Sequence, residues 1–266
     1  MAASTVSGPY TTRLIKASAL QSDAKALLAA WRDAEPLDLL YRRALAENVL
    51  GKAARSRTED VLEVMRRRYL ADPEVAGALR TLVQTPATAS VLNAALYYHA
   101  ARDDLLLHDL VTEWLAYRPV GSTLTLTDVL AQIEEWMHAG RTTSCWGRAT
   151  AMRVAQGAMA TLRDFGVLAG PMRGPSKRLT GLALVPAAAA YVAFVLHRSG
   201  AVGLALVDHP DWRLFLLTSR EAVERLLIEA QGERLLTYDA AGSIVRVEFP
   251  TQSLAEYARG LATRSA

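Results

Sequence analysis

The stretch CWGRATAMRVAQGAMATLRDFGVL, residues 145–168, decides how this chain is read. At 100° per residue, Met152, Ala155, Met159, Leu162 and Phe165 form an apolar stripe, which predicts an amphipathic helix running into a turn. Roughly opposite lie Ala149, Arg153, Gln156, Gly157, Ala160 and Arg163. A solvated face ordinarily carries long side chains of both charges; this one is basic and nearly without bulk. Small residues permit close approach, while arginine and glutamine reach phosphates or base edges. Three surfaces fit: a DNA duplex with the helix in its major groove, a partner protein, or another helix of the same chain.

The flanking sequence extends the pattern. Thr127 is expected to cap a helix over DVLAQIEEWMHA that stops at Gly140. After the central helix, FGVLAGPMRGPSKRLTGLALVP holds two apolar runs separated by a Gly/Pro loop, which predicts a two-stranded hairpin with a basic tip. Helix, turn, helix and basic hairpin is the order at the core of a winged helix, with the end of the preceding block supplying the first helix.

Charge sharpens this reading. The net charge is only +3, although the pI is near 9.1. Residues 1–120 hold fifteen basic and fourteen acidic side chains, and residues 201–266 hold seven and nine, so both blocks nearly cancel. In residues 141–180, Arg141, Arg148, Arg153, Arg163, Arg173, Lys177 and Arg178 face only Asp164. With Gln156, these are the candidate DNA contacts: Arg148, Arg153, Gln156 and Arg163 on the helix, and Arg173, Lys177 and Arg178 along the hairpin. Five phosphate contacts would give a log–log salt slope of about −4.5. A second candidate patch comprises Arg42, Arg43, Lys52, Arg55, Arg57, Arg66, Arg67 and Arg68; the last three also suit a helix C-terminus as cations complementing its dipole.

Before residue 120 the punctuation is helical: Ser22 before DAKALLAAW, Pro36, a Ser56/Glu59 capping box, Asp72-Pro73, Pro86, and Asp103 or Asp104 before LLLHDLVTEWLAYR. About six helices are expected there. The last block predicts a helix to His197, another over SREAVERLLIEAQ, a hairpin turning at Ala241-Gly242 and a closing helix SLAEYARGL. The fold class expected is mainly α with small β-hairpins. A helical-bundle lobe, 1–120, precedes a winged-helix-like lobe, 121–266, whose basic segment 121–186 leads into packed helices and a hairpin.

Composition bounds the function. Half the chain is apolar and a fifth charged, as in a folded globular protein. Cys145 is the lone cysteine, which rules out an internal disulfide and fits a reducing cytoplasm. The start MAASTVSGPYTTRLIK has no continuous apolar run of the signal-peptide kind. Residues 179–196, LTGLALVPAAAAYVAFVL, are uncharged and long enough to span a bilayer, but they are alanine-rich and interrupted by Gly181 and Pro186. A strand followed by a buried helix accounts for them, so no membrane span is expected.

Chemistry is sparse. The five histidines show no helical metal-site spacing, GPMRGP lacks the Lys-Ser/Thr ending of a phosphate loop, and no serine sits in a nucleophile elbow. His108–Asp109 and His209–Asp211 could form catalytic pairs but read more simply as surface or capping groups. No catalytic residue, metal or cofactor is expected.

The runs WGRATAMRVAQGAMATLRDFGVLAG, KRLTGLALVPAAAAYVAFVL, HPDWRLFLL and VRVEFPTQSLAEYARGL, with ALAENVLGKAARSRTEDVLEVMRRRYL nearer the start, resemble the BrxA proteins of bacterial BREX phage-defence systems. The resemblance covers most of the chain. It implies a mainly helical cytoplasmic protein, a first lobe like the helical antitermination factors, double-stranded DNA binding, and other BREX proteins as possible partners. It supplies no active-site residues. The expected function is therefore a non-enzymatic DNA-binding defence component with weak sequence specificity. An adaptor within the same complex and an RNA-binding protein are the alternatives.

Overall fold

The computed structural model describes residues 8–242 and 244–265; the first seven residues of the opening stretch quoted above lie outside them. The chain is mainly helical, with two small antiparallel sheets. After a 3-10 turn at Arg13–Ile15 come α1 (Gln21–Ala30), α2 (Leu37–Ala46), α3 (Arg55–Met65), α4 (Pro73–Gln84) and α5 (Ala89–Asp103). Next, α6 (Leu105–Asp109) continues through a wide π segment, Leu110–Trp114, and a 3-10 turn, Leu115–Tyr117. The middle of the chain is β1 (Thr123–Thr125), α7 (Leu126–His138), α8 (Arg148–Phe165), β2 (Leu168–Ala169) and β3 (Ser176–Leu179). It closes with α9 (Pro186–Arg198), α10 (Leu204–Val207), α11 (Arg220–Gly232), β4 (Thr237–Ala241), β5 (Ile244–Glu248) and α12 (Leu254–Ser265).

Two helices form the centre. Residues Ala188–Leu196 of α9 are all buried, as is most of α5 from Val91 to Ala101. A helix apolar on every side belongs inside, which explains the uncharged run from Ala188 to Leu196. Among the described residues, no helix is long and apolar enough to cross a membrane. The last helix returns to the first block. α12 packs on α4, where Gly77 brings the backbones so close that a Cβ there would lie 3.1 Å from the Ala255 Cβ. Glu74 anchors the start of α12, accepting hydrogen bonds from Ser253 Oγ at 2.7 Å and the Ala255 N–H at 3.1 Å. One cluster of buried residues runs from Tyr10 to Leu261.

Several local expectations need correction. The cap falls at Thr125, which forms a capping box with Asp128, not at Thr127, and the helix begins two residues earlier, at Leu126. Ser56 lies inside the first turn of α3, behind Ala54, and Glu59 pairs with Arg55 instead of closing a box. Ser22 likewise lies inside α1, which follows Leu20 in the left-handed region at φ 48°. The predicted hairpin is a three-stranded sheet in the order β1-β3-β2. Its second strand ends at Leu179 because Gly181 turns the chain at φ 70°; residues 182–185 are not in a strand.

Candidate nucleic-acid interface

α8 is set by its burial pattern and its stop. Ala151, Val154, Ala155, Ala158, Met159, Thr161, Leu162 and Phe165 are buried, a wider contact than the predicted stripe. Gly166 ends the helix at φ 88°, its N–H bonding to Arg163 O while the Val167 N–H bonds to Leu162 O. This double closure is the glycine-dependent C-terminal motif of helices. The strip left uncovered runs through Ala149, Arg153 and Gln156 and is narrower beyond them.

Gly157 is not open to an outside surface. A Cβ there would lie 2.4 Å from the Leu14 carbonyl oxygen, so the glycine admits the chain's own 3-10 turn at Arg13–Ile15. Part of the low-bulk face is therefore internal packing. Its amino-terminal half remains free, which is the half that reads base edges in helix-turn-helix proteins.

The candidate residues separate by their partners. Arg148, Arg153, Gln156, Arg173 and Arg178 are exposed. Their side chains have no hydrogen-bond or ion-pair partner among the described residues. Arg141 departs from the expectation. Its guanidinium donates to Asp109 at 2.6 Å and to Glu113 at 2.7 Å, and it stacks over the rings of Tyr10 and Trp136. Lys177 departs too: it is 6% exposed and donates to Pro171 O at 2.7 Å. Arg163 is partly committed, bonding Asp164 and donating to Met172 O at 3.2 Å. That last bond ties α8 to the β2–β3 loop. Arg178 alternates with the inward-facing Lys177 and Leu179, placing it on the outer face of the sheet.

The second patch is internally neutralised. Arg42 pairs with Asp38, Arg43 with Glu35 and Glu47, Lys52 with Asp23, Arg55 with Glu59, and Arg66 with Glu63. Arg67 and Arg68 share Asp103, and buried Arg68 also donates to Ser18 O and Ala17 O. Arg57 donates to Lys16 O. Each of the eight has an internal acceptor, whereas five residues on α8 and the hairpin have none among the described residues.

A buried polar chain braces the turn between α7 and α8. The Tyr10 N–H donates to Arg141 O, and the Thr143 N–H donates to Tyr10 O. Tyr10 Oη donates to Asp109, which also meets His108 Nδ1 at 2.8 Å; His108 Nε2 lies 3.2 Å from Asp211. Tyr98 donates to the other Asp211 oxygen. Burial opposes the His108 charge, but hydrogen bonds to both aspartates outweigh it and hold its pKa up at about 9. Burial, reinforced by Asp109, raises the Tyr10 pKa. His209 caps the 3-10 turn at Pro210–Phe215 by accepting the Asp211 N–H, and burial lowers its pKa. Sequence reasoning missed Tyr10, because one aromatic in a polar leader carries no periodic signal. Among the described residues, no cluster of His, Cys, Asp and Glu could hold a metal, and Cys145 is exposed.

Among solved structures, an uncharacterized protein from Magnetospirillum magneticum shares the fold, with a TM-score of 0.58 at 18% identity over 80% of this chain and 100% of that one. No curated protein matches the chain. The BrxA family model matches residues 8–194, a span that includes α8, the three-stranded sheet and the first nine residues of α9. The chain therefore belongs to the BrxA family, and with it to the components of BREX phage-defence systems.

Proposed function

We propose that this chain is a non-enzymatic double-stranded DNA-binding component of its defence system, with α8 in the major groove and the β2–β3 loop as a wing beside it. The carrying observation is the contrast in partners: Arg148, Arg153, Gln156, Arg173 and Arg178 are exposed and unpartnered among the described residues, while the patch around Arg42–Arg68 is matched by its own acids and carbonyls. Phosphate-neutralising arginines need free donors. The order helix, β1, α7, α8, β2, β3 with sheet order β1-β3-β2 supports a winged-helix reading. Few side chains reach base edges, so affinity is phosphate-driven and sequence preference weak.

Binding to a random-sequence duplex across a salt series tests this reading. Four phosphate contacts, from Arg148, Arg153, Arg173 and Arg178, give a log–log slope of about −3.6. A flat dependence contradicts it, and stronger binding to structured RNA in competition favours an RNA target.

An adaptor role has its own support. A groove of about 470 Å³ is lined by Leu182, Leu184, Leu216, Leu217 and Leu226, with Val120 exposed at its edge. Stoichiometric recovery of another defence protein, together with negligible DNA affinity, would favour that reading over the first.

A further inference from the structure

Resting on the DNA-binding reading, we infer that Met172 is a wedge: the wing carries it into the minor groove, where it inserts between adjacent base pairs and opens their stack. Met172 is 78% exposed, at the apex of the loop Gly170-Pro171-Met172-Arg173-Gly174-Pro175. An unbranched apolar side chain standing in water gains nothing for the fold. The loop nevertheless holds its backbone in place. Buried Lys177 reaches under the loop to bind Pro171 O, and Arg163 crosses from α8 to bind Met172 O. Two successive carbonyls at the apex are thus fixed by cationic donors, while the methionine side chain between them points away from the protein.

The glycines and prolines fit the same design. A Cβ at Gly170, where φ is 149°, would meet Lys177 Cδ at 3.2 Å, so glycine lets the lysine pass. A Cβ at Gly174 would lie 3.0 Å from Pro171 Cγ, so the proline ring closes over a position that must stay bare. The resulting loop is short and internally packed, and it presents Met172 beside exposed Arg173. A cation that meets the backbone next to an apolar side chain that enters the stack is the combination used by proteins that kink DNA from the minor groove. Lys177 and Arg163 thereby acquire a role that phosphate contact does not supply: they aim the wedge. The favoured target is a flexible pyrimidine–purine step, which unstacks at low cost.

The test uses the full chain and a duplex whose TA steps carry 2-aminopurine, with binding followed by anisotropy and unstacking by fluorescence. The wild type is expected to raise the fluorescence on binding and to prefer the TA duplex over an A-tract duplex by roughly tenfold. Met172→Ala, at an exposed position, should keep salt-dependent binding but lose both the fluorescence gain and the preference; Met172→Leu should restore them. Salt-dependent wild-type binding with unchanged fluorescence overturns the wedge and leaves the DNA-binding reading standing. A fluorescence gain that survives in Met172→Ala also overturns it. No anisotropy change with any duplex overturns both, and the two failures are read on different signals.

Discussion

The Gly157 Cα faces the backbone of Leu14, so close that a methyl group at 157 would sit 2.4 Å from the Leu14 carbonyl oxygen. The contact lies at the edge of the exposed strip on α8 and fixes where that strip ends. Gly157→Ala must displace the turn at Arg13–Ile15, since a carbonyl cannot yield as a flexible side chain can. The expected loss is about 1–3 kcal/mol, typical of overpacking. A denaturant titration checks it, and unchanged stability would mean that the turn does not rest on α8.

Arg141 and Arg153 lie close in sequence and should behave oppositely. Arg141→Gln removes charge-assisted bonds to Asp109 and Glu113, costing about 1.5–3 kcal/mol of stability while leaving the DNA salt slope unchanged. Arg153→Gln should leave stability within about 0.5 kcal/mol and flatten the slope by about 0.9. Paired unfolding and salt-series measurements distinguish the two roles.

His108 makes stability depend on pH. Its folded pKa of about 9 lies above the ordinary 6.5, so its contribution is fully present below 6.5 and is lost as pH rises through 9. The groups facing it are Asp109 and Asp211, with Arg102, Tyr98 and His209 around Asp211 and Tyr10 and Arg141 on Asp109. Burial raises the Tyr98 and Tyr10 pKa values, which keeps those hydroxyls from ionising in this window. Denaturation midpoints of the wild type should fall between pH 6.5 and 10, and those of His108→Gln should fall less. Parallel curves would contradict the account.

Glu74 holds the returning helix. The Ser253 hydroxyl, then the Ala255 N–H, keep its carboxyl ionised below the usual range. Glu74→Ala strips two acceptor contacts from the start of α12 and should cost about 1–2 kcal/mol. Faster amide exchange throughout α12, with α5 and α9 still protected, is the expected signature.

The legible parts of the molecule were those with long periodic signals. α8 could be placed from its apolar stripe and the turn after it, α9 from an uncharged run after Pro186, and α4 from Asp72-Pro73. β1 was invisible because three residues with one inward Leu124 carry no alternation to detect. The capping positions at Ser22, Ser56 and Thr127 were each missed by two residues: Thr125 caps α7, while α1 and α3 start behind Leu20 and Ala54, which have no side-chain cap to read from sequence. Arg141 and Lys177 could not be separated from Arg153 and Arg178 by composition. Their carboxylate and carbonyl partners depend on tertiary contacts, with Glu113 lying 28 residues from Arg141. The charge cluster was legible; the fraction of it free to bind was not.

The central claim is that the unpartnered arginines of α8 and the wing bind duplex DNA. The most direct measurement is DNA affinity against salt for the wild type and for the combined variant Arg148→Glu, Arg153→Glu, Arg173→Glu, Arg178→Glu, with its folding verified by circular dichroism and thermal unfolding. These side chains have no internal partners among the described residues, so the variant should fold, and its salt-sensitive binding should disappear. A folded variant that binds as tightly and as salt-sensitively as the wild type would contradict the account.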